Sequence, residues 1–201
     1  MRSREVAKEP VTNKQNTRTS SATPPVMDGE AVNRALRRIA HEIIERNPEL
    51  GSVILAGIPS RGVEIARRIA EIIQSLGKTP IETGVIDVSM HRDDVGKRAE
   101  LPRVQASRLP LPLENKTVII VDDVFFTGRT ARAAMDAISS FGRPARIQLA
   151  ALIDRGHREL PIRVDYVGKN LPTAVGERVR LRLENVDGEP DAVWLVKEEK
   201  A

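Results

Sequence analysis

One stretch restricts the possible folds more than any other: Thr117-Val118-Ile119-Ile120-Val121-Asp122-Asp123-Val124-Phe125-Phe126-Thr127-Gly128-Arg129-Thr130. Its first part is apolar and β-branched, as a strand buried on both faces of a parallel sheet must be. Two carboxylates, Asp122 and Asp123, follow the apolar run, and then come Thr127, Gly128 and Thr130. Residues 131–138 are good helix formers. Strand, acidic pair, tight loop and helix, in that order, predict an α/β chain. The loop then falls at the carboxyl end of a strand, where open α/β sheets bind ligands. Its Thr and Gly residues bring backbone N–H groups and hydroxyls to a helix amino terminus, a natural seat for a phosphate. The adjacent carboxylates are hard oxygen ligands, suited to sugar hydroxyls or a magnesium ion. A phosphate beside a polyol describes a ribose 5-phosphate. The spacing matches neither a Walker loop nor a dinucleotide fingerprint, since G-x-x-x-x-G-K-[ST] and G-x-G-x-x-G are both absent.

At 201 residues the chain is long enough for one domain with a sizeable core. Aromatic residues are only 2%, so that core must be aliphatic and rich in Ala. The absence of Cys excludes disulfides, thiolate metal sites and Cys nucleophiles. No apolar run approaches membrane-spanning length, and no secretory h-region precedes the folded part. A net charge of +4 is compatible with phosphate-bearing partners. Residues 1–25 are polar, basic and nearly free of large apolar side chains, which predicts a disordered tail ahead of a single domain over 26–201.

The folded part opens with a predicted helix over 28–46, with Asp28 as its N-cap. Val32, Ala35, Leu36, Ile39 and Ile43 share one face by 3.6-residue spacing. Arg34, Arg37, Arg38 and His41 share the other, and on the residues alone that face is solvated charge. A strand over 52–58 runs into Pro59-Ser60-Arg61-Gly62 and a helix over 63–76. Gly62 lets the backbone approach a ligand, and a fixed Arg61 suits a phosphate oxygen by bidentate bonding. A strand over 80–90 precedes a long polar segment, 91–110, that reads either as a lid over a site or as an exposed hairpin. Further strands are expected over 146–153, 179–183 and 192–196. His41 and His157 are widely separated and lack a ligand pattern, so no protein-held metal is predicted.

Several stretches together carry a resemblance. They are Arg38-Ile39-Ala40-His41-Glu42, Arg92-Asp93-Asp94, the 118–130 motif, Gly142-Arg143-Pro144, and 154–163 (Asp-Arg-Gly-His-Arg-Glu-Leu-Pro-Ile-Arg) with Gly168-Lys169-Asn170. The 118–130 motif resembles the phosphoribosyl-pyrophosphate (PRPP) motif of the type I phosphoribosyltransferases. The whole set, covering about residues 26–196, resembles the bacterial pyrimidine operon regulatory proteins, a branch of that family. The resemblance implies a type I phosphoribosyltransferase fold, a central parallel sheet flanked by helices with a small hood built partly from the chain ends. It implies a cytoplasmic homodimer or higher homo-oligomer with two activities. One is binding of pyrimidine-operon messenger RNA leaders in response to UMP and UTP. The other is conversion of uracil and PRPP to UMP and diphosphate, with Mg2+ accompanying PRPP or diphosphate.

Carried onto this sequence, Asp122 and Asp123 would hold the ribose hydroxyls as the catalytic carboxylates. Thr127, Gly128, Arg129 and Thr130 would cradle the 5-phosphate, with Val124, Phe125 and Phe126 completing the PRPP stretch. Ser60, Arg61 and Gly62 would hold the diphosphate, and Arg92 would also contact substrate. Arg155 and the backbone of Tyr166 and Val167 would border the base. Arg38, His41, His157, Arg158, Arg163 and Lys169 would form the RNA face. One Trp and one Tyr leave no aromatic stacking platform, so RNA must meet a basic surface instead. The chain departs from the family pattern at Phe126 and His91, each in place of a Tyr, and at Pro59-Ser60, in place of a Thr-containing loop. A purine phosphoribosyltransferase would share 122–130 but not 154–169, and a salvage enzyme without RNA regulation would share both.

Overall fold

The computed structural model describes residues 24–89, 106–174 and 176–197. The expected tail over 1–25 lies almost wholly outside the described residues, as do His91, Arg92 and most of the 91–110 segment.

Helix α1 spans Gly29–Arg46, and its first turn is capped by Asp28, whose carboxylate accepts the Ala31 N–H at 2.8 Å. Val32, Leu36, Ile39 and Ile43 are buried along one face, as their spacing requires. Strand β1, Val53–Gly57, is buried at every position and leads into helix α2, Arg61–Ser75. Strand β2 (Glu82–Val85) is shorter than the sequence suggests. Strand β3 (Thr117–Phe125) is followed by helix α3 (Arg129–Ser139), strand β4 (Arg146–Asp154) and strand β5 (Tyr166–Asn170). The sheet order is β2-β1-β3-β4-β5, parallel throughout.

The two faces of β3 explain the layering. Ile119 and Val121 join the core under α1 and α2, whereas Val118 and Ile120 join the core under α3. The inner strands β1 and β3 are therefore apolar on both sides, as helices on both faces demand, whereas the edge strands β2 and β5 are partly exposed. The apolar cluster continues the strand past its expected end. Asp122, Val124 and Phe125 pair with Ala151, Ile153 and Asp154 of β4, so the acidic pair belongs to β3 rather than following it.

A separate antiparallel pair, β6 (Glu177–Arg182) and β7 (Ala192–Lys197), forms the hood, with the short helix α4 (Glu184–Asp187) between them. Met27 bridges Val193 of β7, so the residues just before α1 join the hood, as the resemblance implies. Side chains fasten the hood to α2. Arg68 bonds Asp191, and Asn185 donates to Glu64 at 2.7 Å. The Glu64 carboxyl is lowered to about 2, chiefly by hydrogen bonds from Arg67.

The sheet's switch point lies between β1 and β3, where the chain reverses its direction of travel across the sheet. Gly62, in the first turn of α2, packs there so closely that an added Cβ would come within 2.4 Å of the Val121 carbonyl oxygen. Gly62→Ala should destabilise the protein by about 1–3 kcal/mol, the usual cost of overpacking against an immovable neighbour. Urea unfolding would measure it, and an unchanged midpoint would show that the α2 start can slide away from β3.

Candidate active site

Two loops leave the carboxyl ends of adjacent strands. The loop after β1 holds Pro59 and Ser60, joined by a cis peptide, and leads into Arg61 and Gly62 in the first turn of α2, and the loop after β3 holds Phe126, Thr127 and Gly128. Ile58 N–H donates to the Val121 carbonyl at 2.9 Å and fixes one loop's root against the other strand. Asp122 is 9% exposed, and its Oδ1 accepts the Asp123 N–H at 2.9 Å. Asp123 Oδ1 accepts the Val124 N–H at 2.8 Å, leaving its Oδ2 turned toward Arg61 at 3.7 Å. Gly128 has φ of 92°, a left-handed conformation that suits glycine, and from it α3 begins. The phosphate seat expected from Thr127 to Thr130 is thus a helix amino end beside two carboxylates and a guanidinium.

The segment after β4 is laid over this loop. Arg155 N–H donates to the Phe125 carbonyl at 3.1 Å, and Glu159 and Leu160 N–H groups donate to the Thr127 carbonyl at 3.0 and 3.2 Å. Arg129 pairs with Glu159 at 2.8 Å. Arg155 is held by Thr173 Oγ1 at 3.2 Å and by the Glu177 carbonyl at 2.9 Å, and it stacks 3.8 Å over the Phe126 ring. His157 meets the same ring edge-on at 5.9 Å. A cavity of about 260 Å³ opens here, between Phe126, Arg155, His157, Gly176, Glu177 and Arg178. Its size and its planar wall suit a single base.

Tyr166 and Val167 do not border this cavity. Tyr166 starts β5, at the amino end of the sheet, and is fully buried. Its hydroxyl accepts from Asn47 at 2.9 Å and donates to Gln148 at 3.0 Å, so it is a core residue that anchors the end of α1. The carboxyl end of β5, which points toward the ligand side, is Lys169-Asn170. Sequence reasoning missed the opposite wall, formed by Glu177 and Arg178 at the start of the hood, and it missed Asp187 altogether. Asp187 takes two hydrogen bonds from Arg61, and no local motif marks it.

The basic residues divide into two neighbouring groups. Arg38 of α1 donates to the Gly168 carbonyl of β5, and Lys169 donates to the Val26 carbonyl at 3.2 Å. Both line a groove of about 430 Å³ with Arg34 and Asn170. His41 is exposed on the same helix. Across β5, Lys169 stands beside Ile153 and Asn170 beside Asp154, next to the segment that carries the second group. There His157 Nε2 lies 2.6 Å from the Thr173 carbonyl, Arg163 is exposed, and Arg158 pairs with Asp154 at 2.6 Å. Asp154 is only 3% exposed, so the exposed Arg158 is tied to a buried carboxylate and is not simply a surface charge.

A phosphoribosyl transferase domain model matches residues 26–182. Among curated relatives, the Bifunctional protein PyrR of Chloroflexus aurantiacus is 55% identical over 170 residues, covering 85% of this chain and 93% of that protein. The chain belongs to the PyrR family. The Bifunctional protein PyrR of Roseiflexus sp. is 51% identical over 172 residues, covering 86% and 94%, and that of Bacillus subtilis is 49% identical over 164, covering 81% and 91%. PyrR-family membership extends over almost the whole described chain, including the 154–169 stretch that a general phosphoribosyltransferase motif does not explain. Among solved structures, the hypoxanthine phosphoribosyltransferase of Trypanosoma cruzi superposes with a TM-score of 0.64 at 19% identity, covering 89% of this chain and 98% of that one. The HGPRT-ase of Leishmania tarentolae in complex with GMP gives 0.67 at 17%, covering 88% and 98%. At those identities the likeness is one of fold.

Proposed function

We propose that this PyrR-family chain is a uridine-nucleotide-responsive RNA-binding regulator of pyrimidine biosynthetic operons that also converts uracil and PRPP to UMP and diphosphate. The observation that carries the reading is half-identity to proteins named bifunctional, over more than nine-tenths of their length, joined to a helix amino end that stands beside two carboxylates. Asp122 and Asp123 take the ribose hydroxyls, the amino end of α3 takes the 5-phosphate, and Arg61 takes the diphosphate. Uracil enters the cavity against Arg155 and Phe126. The transition state of such a transfer is expected to resemble an oxocarbenium ion. The protein's work is then positioning and charge stabilisation rather than covalent chemistry.

Among the described residues no three His, Cys, Asp or Glu side chains converge on a common point. Mg2+ commonly keeps its waters and binds through one or two carboxylates plus substrate phosphates. The Asp122–Asp123 pair beside Arg61 fits a magnesium ion that arrives with PRPP or diphosphate. The ion would neutralise phosphate charge there. No helix among the described residues is long and apolar enough to cross a membrane, and a cytoplasmic homo-oligomer is the proposed form.

One preparation tests both activities. Filter binding of a pyrimidine-operon leader RNA, with and without UMP, should show nucleotide-strengthened binding, and the same sample should turn over uracil with PRPP. Turnover without RNA binding would leave a salvage enzyme. Arg61→Ala tests the assignment of its loop. It should weaken PRPP and diphosphate by about 1.5–3 kcal/mol, the range for a charge-assisted bond, while UMP, which lacks the diphosphate, is spared. Equal losses for PRPP and UMP in calorimetry would remove Arg61 from the diphosphate subsite.

A further inference from the structure

The hood supplies the site with a residue that acts through another. Arg61 Nε donates to Asp187 Oδ2 at 3.0 Å and Nη2 donates to Oδ1 at 2.7 Å. This side-on fork uses two of the five guanidinium N–H donors. Nη1 lies on the other side, facing Asp123 at 3.7 Å. Asp187 is itself immobilised. Its Oδ2 accepts the Leu183 N–H at 2.9 Å, its Oδ1 accepts Arg182 Nη1 at 3.0 Å, and its side chain is 7% exposed. The hydrogen bonds from Arg61, above all, hold its carboxyl well below the usual carboxylate range.

An arginine at a helix start is flexible, and ordering it on binding would cost affinity. Arg61 has been ordered in advance, with its side-on edge engaged and its end-on edge turned toward the acidic pair. Two guanidinium groups offset the charge of Asp187, so its carboxylate does not repel an arriving anion as an isolated one would. We infer that Asp187 is a positioning residue for the diphosphate of PRPP: it fixes the Arg61 guanidinium so that its Nη1 edge, beside Asp123, addresses the anion, and thereby makes the diphosphate subsite depend on the hood. The inference rests on the proposed assignment of Arg61 to diphosphate.

Asp187→Asn keeps the side-chain shape and loses one half of the fork. Asp191→Asn is the comparison, because it loosens the hood at Arg68 without touching Arg61. Calorimetry with magnesium diphosphate, and separately with UMP, reads the outcome on the full chain. Asp187→Asn should weaken diphosphate about tenfold, the factor that ~1.4 kcal/mol produces, and raise KM for PRPP alongside, with UMP affinity held within about twofold. Asp191→Asn should leave diphosphate within about twofold of wild type even where thermal stability falls. Tighter diphosphate binding in Asp187→Asn would make Asp187 a competitor for Arg61 and overturn the inference, as would unchanged binding. Equal weakening in Asp191→Asn would overturn it in favour of general hood loosening. Wild-type protein that binds UMP but no diphosphate would instead overturn the Arg61 assignment, and the inference with it.

Discussion

Asp122→Asn combined with Asp123→Asn should lower PRPP-dependent UMP formation by about a thousandfold or more, a loss on the scale of removing a preorganised polar group from a transition-state site. The substitution isolates charge from structure. Each native carboxylate accepts a backbone N–H from the next residue, and an amide oxygen can accept the same bond. The carboxyl end of β3 therefore keeps its pairing with β4, and the melting temperature should barely move. What disappears are two anionic acceptors for ribose hydroxyls and the countercharge facing Arg61. Near-normal turnover in the double variant would show that the stretch is a structural turn only.

Arg38→Gln combined with Arg163→Gln should sharply reduce affinity for leader RNA and flatten its salt dependence. Each lost phosphate contact lowers the slope of log K against log salt by about 0.7–0.9. The pair is chosen from the structure. Arg158 belongs to the same stretch, but it pairs with buried Asp154, and removing it would leave a buried carboxylate short of a partner. Arg38 and Arg163 are exposed, and surface substitutions usually change stability by less than about 0.5 kcal/mol, to which Arg38→Gln adds about 1 kcal/mol for the lost bond to the Gly168 carbonyl. UMP formation should persist. RNA binding with an unchanged salt slope would dismiss the α1–β5 groove as the RNA face.

Local pattern was enough to find α1, where the Asp28 cap and the apolar stripe agree with the observed Gly29–Arg46. It was also enough to place the turns at 59–60 and 126–128 after strands. It failed where partners distant in sequence decide the outcome. The end of β3 looks polar, yet pairing with Ile153 and Asp154 keeps it in the sheet. β5 went unrecognised because its second half, Lys169-Asn170, is exposed at the sheet edge and breaks the apolar run. Nothing local shows that the Tyr166 side chain is a core group, because the Asn47 that bonds its hydroxyl lies 119 residues away. Asp187 was invisible because its meaning comes only from Arg61, 126 residues earlier.

The bridge between Met27 and Val193 also sets an order of assembly on the ribosome. Chains emerge amino end first, and domains fold as their parts become available. A nascent chain synthesised through Asn170 already carries all five strands of the parallel sheet and the turns after β1 and β3. It still lacks the partner for Met27 and the carboxylate for Arg61, both of which arrive with the last two strands and the turn of helix between them. Completion of the candidate site therefore waits for the hood, which is synthesised after the sheet that carries the site.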